Sequence, residues 1–478
     1  MSVQSAADDT APISFTVRDR TAIAGVGVAM IVVELNWFAL NLVLPTVARD
    51  FRTASTDLQW LVSGYMLALG SMMIVGGRRA DLRGRRRSLV LGLIGFAAAS
   101  VFCAASQNTL WLVLGRLAQG AAAALVFPVG VALVASQFRD GRQSRAVGYV
   151  LGYSAAGTAL GPFVGALLTQ ATSWRGVFLL DVALCMVAVA LLLRFTSESR
   201  DEAAVRELDS RGAVIIAIGL AAIMLGVDHG ADQGWFSPVT VAGVLGGLGL
   251  LGVFVEQERH SKHPLIDPTL LRNPPFVVAT SAGALSGVVY CVTAVLCALY
   301  LQQARDMTPL GAGAVFLALP TAYGVASYAS GPLSERCRPE PLMIVGMLFT
   351  GGGLMVLSHV VSIGWYAAVL ALCGLGTGLV WALTNSATQS YAPAARSGAA
   401  SGLVLTVIVL LGAVGVSLSA TALELVSGST THAAADARAI ETVLRGTSAL
   451  AFAGALGLLL VRRRWGRRDE TAGRRAAP

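Results

Sequence analysis

Inside otherwise apolar runs of this 478-residue chain stand Glu34, Arg116, Asp181, Asp228 and Glu256. A carboxyl group held away from water can take up and release a proton, and the exchange adds or removes a buried charge. An arginine in hydrocarbon costs roughly 2.5–3.5 kcal/mol on insertion scales, so Arg116 calls for a partner. These residue types suit the movement and balancing of charge rather than bond breaking. They form no convergent set of acids, histidines and nucleophiles of the kind an enzyme needs. An ATP-driven pump is excluded as well, because the single lysine, Lys262 in His260-Ser-Lys-His263, cannot complete a GxxxxGK[ST] phosphate loop. The six cysteines are scattered without a CxxC, and the two histidines have no ligand set of zinc spacing nearby, so no metal site is expected.

The elements that must position these groups follow from composition. Of the residues, 55% are hydrophobic and 13% charged, and the mean hydropathy is +0.69. Soluble domains carry roughly 25% charged residues, so a water-soluble globule of this size could not cover its surface. A bilayer core needs about 20 apolar residues per helix, and backbone groups in lipid must pair within the helix. Fourteen stretches meet that demand: 21–44, 58–77, 88–106, 110–136, 146–170, 176–195, 212–228, 238–256, 276–303, 309–330, 341–361, 364–388, 398–420 and 443–461. The first twenty residues, with Asp8, Asp9 and Asp19, read as a polar tail rather than a signal peptide.

Charge then orients the bundle. With the amino terminus inside, 28 of the 35 Lys and Arg fall on inner segments, six on outer ones, and Arg116 lies within a span. Both termini are therefore expected in the cytoplasm. The net charge of +8 reflects this orientation and not a nucleic-acid partner. A weak repeat divides the chain. Gly77-Arg-Arg-Ala-Asp81 follows the second span, and Gly331-Pro-Leu-Ser-Glu335 follows the tenth, each with arginines after the acid. The organisation expected is a tail at 1–20, a six-helix half at 21–195 and a linker with two inserted helices at 196–275. A second six-helix half at 276–461 and a basic tail at 462–478 complete it. Repeated halves about a central cavity are a transporter architecture.

Several motifs resemble one family across nearly the whole span pattern. They are Gly77 to Arg86 with Asp81, Gly84 and Arg85; Arg116-Leu-Ala-Gln119-Gly120; and Gly157-x-x-x-Gly161-Pro162-x-x-Gly165. Trp174-Arg175-x-x-Phe178-x-x-Asp181 is similar to the family's WRWxFxxN. The chain is identified as resembling the major facilitator superfamily, in its fourteen-span drug:proton antiporter branch. The resemblance implies an all-α bundle of fourteen transmembrane helices (6 + 2 + 6) in a bacterial cytoplasmic membrane. It implies that Asp81 and Arg85 hold the loop after the second span against the opposite half, near Ser397, and that the glycines of the fifth span with Pro162 mark an antiporter. Several positions depart from the family pattern: Gly176 replaces the second tryptophan of WRWxFxxN, and Leu405-Thr406-Val407-Ile408-Val409 stands where the family has a polar Asn-Thr-x-Arg-Gln run. Asn36 stands where the branch carries a membrane aspartate, in Leu35-Asn36-x-x-x-x-Asn41-x-x-x-Pro45, and Asp181 stands for an asparagine.

The expected function is secondary active efflux of a small amphipathic organic compound, such as a drug, antibiotic or secondary metabolite, by alternating access. Protons supply the energy, and no cofactor or obligatory protein partner is expected. An importer or uniporter of a small organic solute, or a non-transporting sensor of the same fold, stays open beside it. Glu34 and Arg116 are the candidates for proton coupling, expected to meet because spans 1 and 4 bring them to similar depth. Asn36, Trp37, Asn41 and Gln119 are candidates for the substrate cavity.

Overall fold

The structure, a computed structural model, describes residues 15–475 except 53–59, 139–141, 201–208, 262–263, 267, 302–304, 306, 308, 360–361, 393–396 and 428–432. The described residues form helices and no strands. The first group is α1 (Val17–Phe51), α2 (Trp60–Arg83), α3 (Arg85–Ala104), α4 (Thr109–Ala123), α5 (Phe127–Gln137), α6 (Arg142–Ala171) and α7 (Arg175–Phe195). A pair follows, α8 (Ser210–Gln233) and α9 (Pro238–His260), and then the short α10 (Pro268–Arg272). The last group is α11 (Pro274–Leu299), α12 (Pro309–Phe316), α13 (Ala318–Arg336), α14 (Pro339–Leu357), α15 (Ile363–Tyr391), α16 (Ser397–Ser427) and α17 (Ala433–Arg475).

Thirteen helical stretches are long and apolar enough to cross a bilayer. The apolar part of α8, Arg211–Val227, is shorter. It belongs to a 24-residue helix, which spans ~36 Å at 1.5 Å per residue, and counting it gives the fourteen crossings expected.

Local sequence explains where helices begin and break. Thr16 and Asp19 form a reciprocal capping box that starts α1 four residues before the expected span. The fourth crossing is two helices, because Pro128 has no N–H to give and the chain turns tightly through Ala124 to Val126. Pro320 sits just past the corresponding break at Leu317, between α12 and α13. At the other end, α17 continues to Arg475, through the segment expected to be a basic tail.

Packing follows two halves. In the first, α1 lies against α6 and α7, and α3 and α4 complete the group; in the second, α15 packs on α13 and α14, and α17 on α14. The halves meet along α2 with α16 and α6 with α13. The pair α8–α9 rests on α2 and α16 through α8, with apolar side chains such as Ile216 and Leu220 joining Ile74 and Leu403. Small residues allow the closest approaches. Gly157, Gly161 and Gly165 lie on one face of α6, and a Cβ at each would stand 2.8–2.9 Å from backbone oxygens of Ile31, Leu35 and Ala39. That spacing seats α1 directly on the backbone of α6. Gly148 and Gly152 of the same helix instead face Ser327, Tyr328 and Gly331 of α13.

Candidate functional site

Between the halves lies a cavity of about 400 Å³. Its wall is mainly aliphatic and aromatic, with Trp37, Phe38, Tyr290, Tyr323 and Trp381 among its rings. Among the described residues, Glu34 is the one carboxylate in that lining. It accepts hydrogen bonds from Thr158 Oγ1 at 3.1 Å and Ser154 Oγ at 3.4 Å, both on α6. The seat at Gly157 makes this possible, since a side chain there would run into the backbone of Ile31 and the Cβ of Glu34. The cavity reaches Trp60, the first residue of α2, and so extends away from the end of α2 that carries Asp81. Towards that end, ring pairs cross between the halves: Phe127 with Trp381, and Tyr149 stacked on Tyr328 at 4.5 Å.

Behind the cavity, Arg116 is fully buried and its guanidinium is occupied on several sides. Nε donates to Leu61 O at 2.8 Å, Nη1 donates to Gln119 Oε1 at 2.9 Å and to Asn36 Oδ1, and the Tyr65 ring lies 4.2 Å from Cζ. Asn36 Nδ2 in turn donates to Asp181 Oδ2 at 2.6 Å, and Gln119 Nε2 donates to Ser100 Oγ at 2.7 Å. This corrects two expectations. Arg116 is bonded to Asn36 and not to Glu34, which faces α6; two residues along a helix is about 200°, so one of the pair alone can face α4. Asn36 and Gln119 are buried in this network and lie outside the cavity lining, whereas Trp37 is in it. Asn41 falls in α1, but its side chain lies outside the described residues. Asn36 and Asp181, both departures from the family pattern, are hydrogen-bonded to each other.

At the far end of α2, Asp81 is fully buried. Its Oδ1 accepts the backbone N–H of Gly398 at 2.9 Å and its Oδ2 that of Ala399 at 2.8 Å, in the first turn of α16. Unpaired N–H groups and the helix dipole favour an anion at such a terminus. Arg85 Nε and Nη2 donate to the same carboxylate at 2.9 and 2.6 Å. Gly77 is required here, because a Cβ would collide with Gly398 O. Gly84 has φ +109°, in the region that favours glycine, and the Glu198 carboxylate occupies the space a Cβ would take. Glu198 accepts the N–H groups of Arg86 and Arg87 at 3.0 and 3.1 Å, and Ser199 Oγ accepts from Arg85 Nη1 at 2.8 Å. Sequence reasoning missed Glu198 and Ser199, which sit in a polar connection without a motif.

The opposite end holds a smaller clamp. Trp174 Nε1 and Arg175 Nη1 both donate to Asp50 Oδ2 at 2.9 Å, and Arg175 lies over the Trp174 ring. The Trp174 indole, then Arg175, hold the Asp50 carboxyl below its ordinary pKa.

Comparison with known proteins places this architecture. The profile described as Major Facilitator Superfamily matches residues 26–416. The chain belongs to the major facilitator superfamily. It is therefore a membrane transporter and not an enzyme. Among curated relatives of this superfamily member, a puromycin resistance protein of Streptomyces alboniger is 31% identical over 456 residues, covering 91% of this chain and 88% of that protein. A lincomycin resistance protein of Streptomyces lincolnensis is 30% identical over 400 residues, 82% of each chain. The multidrug resistance protein Stp of Mycobacterium tuberculosis is 29% identical, over 79% of this chain and 71% of its own. The crystal structure of the human organic anion transporter MFSD10 superposes with a TM-score of 0.66 at 17% identity, covering 92% of this chain and 100% of that one, and supports the fold.

Proposed function

We propose that this transporter exports a small amphipathic organic compound, of the antibiotic or drug class, in exchange for protons. The observation that carries the reading is the aromatic cavity between the halves, with Glu34 in its wall, closed at one end by the docking of Asp81 on α16. An aromatic and aliphatic wall with few polar groups suits a ligand that is mostly apolar. Glu34 is the group that binds and releases the proton, since among the described residues it is the carboxylate in the cavity wall. Asp81 with Arg85 forms the inner gate, and Gly157, Gly161, Pro162 and Gly165 keep α1 and α6 in register as the halves rock. The proton gradient is the energy source, and no cofactor takes part.

The basic inner segments put both termini and the Asp81 gate on the cytoplasmic side of a bacterial cell membrane. The conformation then has its inner gate shut and its cavity directed outward. The relatives named for resistance to puromycin and lincomycin support export over import. The test is susceptibility of a sensitive host with and without the gene, across puromycin, lincomycin and lipophilic dyes. Export predicts raised resistance to at least one compound with lowered cell content, reversed by a protonophore. Raised cell content of every compound that moves would contradict it.

A further inference from the structure

We propose that Asp181 is the counter-charge of Arg116, acting through Asn36 as a positioning residue, and that amide and carboxylate in this pair are interchangeable in place. Seven described charged side chains are buried: Glu34, Arg78, Asp81, Arg85, Arg116, Asp181 and Glu258. Asp81 and Arg85 pair directly. Glu34 faces α6, leaving Asp181 as the acid joined to Arg116 by a continuous set of hydrogen bonds. A guanidinium only donates and a carboxylate only accepts, so one orientation of the Asn36 amide serves both, with oxygen towards Arg116 and nitrogen towards Asp181. In that orientation the amide dipole carries the interaction from one charge to the other, and in a medium of low polarity such a relay is strong. The relay links α4, α1 and α7. It fixes the rotation of α1, and with it the direction in which Glu34, about 200° around the same helix, meets Ser154 and Thr158.

Asparagine and aspartate have the same shape, so exchanging them conserves every bond. With Asn36→Asp and Asp181→Asn together, Arg116 donates directly to the carboxylate at 36, and the new amide at 181 donates to its other oxygen. The charge stays within the pair. Asp181→Asn alone keeps a hydrogen bond but leaves Arg116 without its anion. The titratable side chains around the pair are Arg116 of α4, Cys103 of α3, Tyr65 of α2, Glu34 of α1 and Cys185 of α7 itself.

The experiment compares purified wild type, Asp181→Asn and the Asn36→Asp/Asp181→Asn exchange by melting temperature in detergent and by pH-gradient-driven transport of puromycin in proteoliposomes across pH. Removing one member of a buried charge pair strongly destabilises, so Asp181→Asn should melt lower and transport at least about ten-fold more slowly. The exchange should restore the melting temperature, and transport to within about two-fold, with the wild-type pH profile. Wild-type behaviour of Asp181→Asn, or an exchange no better than that single variant, would overturn the proposal. Should a transport variant fail to insert, the Arg116→Gln/Asp181→Asn pair decides: melting above both single variants supports the charge relation, and melting no higher than the weaker one contradicts it. The transport arm rests on the export reading, and the melting arm does not, so failure of one is distinguishable from failure of the other.

Discussion

Asp81 Oδ2 lies 2.8 Å from the backbone nitrogen of Ala399, so a side chain at the end of α2 closes the first turn of α16 in the opposite half. The partner oxygen takes Gly398, and the two bonds depend on both oxygens being acceptors. Asp81→Asn leaves one acceptor and no charge. A charge-assisted hydrogen bond contributes about 1.5–3 kcal/mol, and losing about 2 kcal/mol shifts the closed-to-open ratio by ~30-fold. Transport by Asp81→Asn should fall several-fold at unchanged membrane levels, measured as drug accumulation in cells matched for expression.

The packing of α1 on α6 gives a second outcome. Gly161→Leu would place its Cβ 2.9 Å from Leu35 O and Phe38 Cβ, and overpacking of this kind costs about 1–3 kcal/mol. A lower melting temperature and lost transport are expected. Gly252→Leu on α9, where nothing lies within 4 Å, should leave both unchanged. Equal effects of the two substitutions on the melting temperature would show that the α1–α6 seat is not special.

Sidedness is tested by single cysteines in a background lacking the six native ones. Phe236, at the turn between α8 and α9, is 96% exposed, and Arg87 lies on the Asp81 side. A membrane-impermeant thiol reagent on intact cells should label Phe236→Cys and reach Arg87→Cys after permeabilisation alone. The reverse pattern would invert the topology.

The clamp at Asp50 titrates in a definite direction. Asp50 is held below its ordinary pKa by Trp174 and then Arg175, so what it contributes is present above about pH 4 and lost as the pH falls further. The pair is partly exposed, with side chains 35% and 45% accessible, so the contribution is below ~1 kcal/mol. Asp50→Asn should therefore lower the melting temperature slightly at pH 7, and the difference from wild type should vanish in acid.

How much of this was legible in the sequence depended on what kind of constraint was written there. The fourteen crossings were readable because lipid forces twenty-residue apolar helices, with α8 the marginal one. The place where Asp81 docks was readable through the family resemblance, with a helix terminus as the kind of site that favours its charge. The partner of Arg116 was not. Counting residues along α1 and α4 gives depth but not rotation, and Glu34 and Asn36 differ mainly in rotation. The complementary letters at 36 and 181 carried the missing signal, but joining them needs α1 and α7 in contact. Breaks at Ala124 and Leu317 had visible causes in Pro128 and Pro320. Glu198 had none, since its role comes from the space above Gly84.

The measurement closest to the central claim uses proteoliposomes holding, on one side, a compound to which the gene confers resistance, and an imposed pH gradient. Wild type should concentrate that compound against its gradient towards the acidic side, and collapse of the gradient should stop it. Glu34→Gln should still bind and exchange it at equilibrium but no longer concentrate it. Concentration by Glu34→Gln at the wild-type rate, driven by the pH gradient alone, would contradict the assignment of Glu34 as the proton-carrying group.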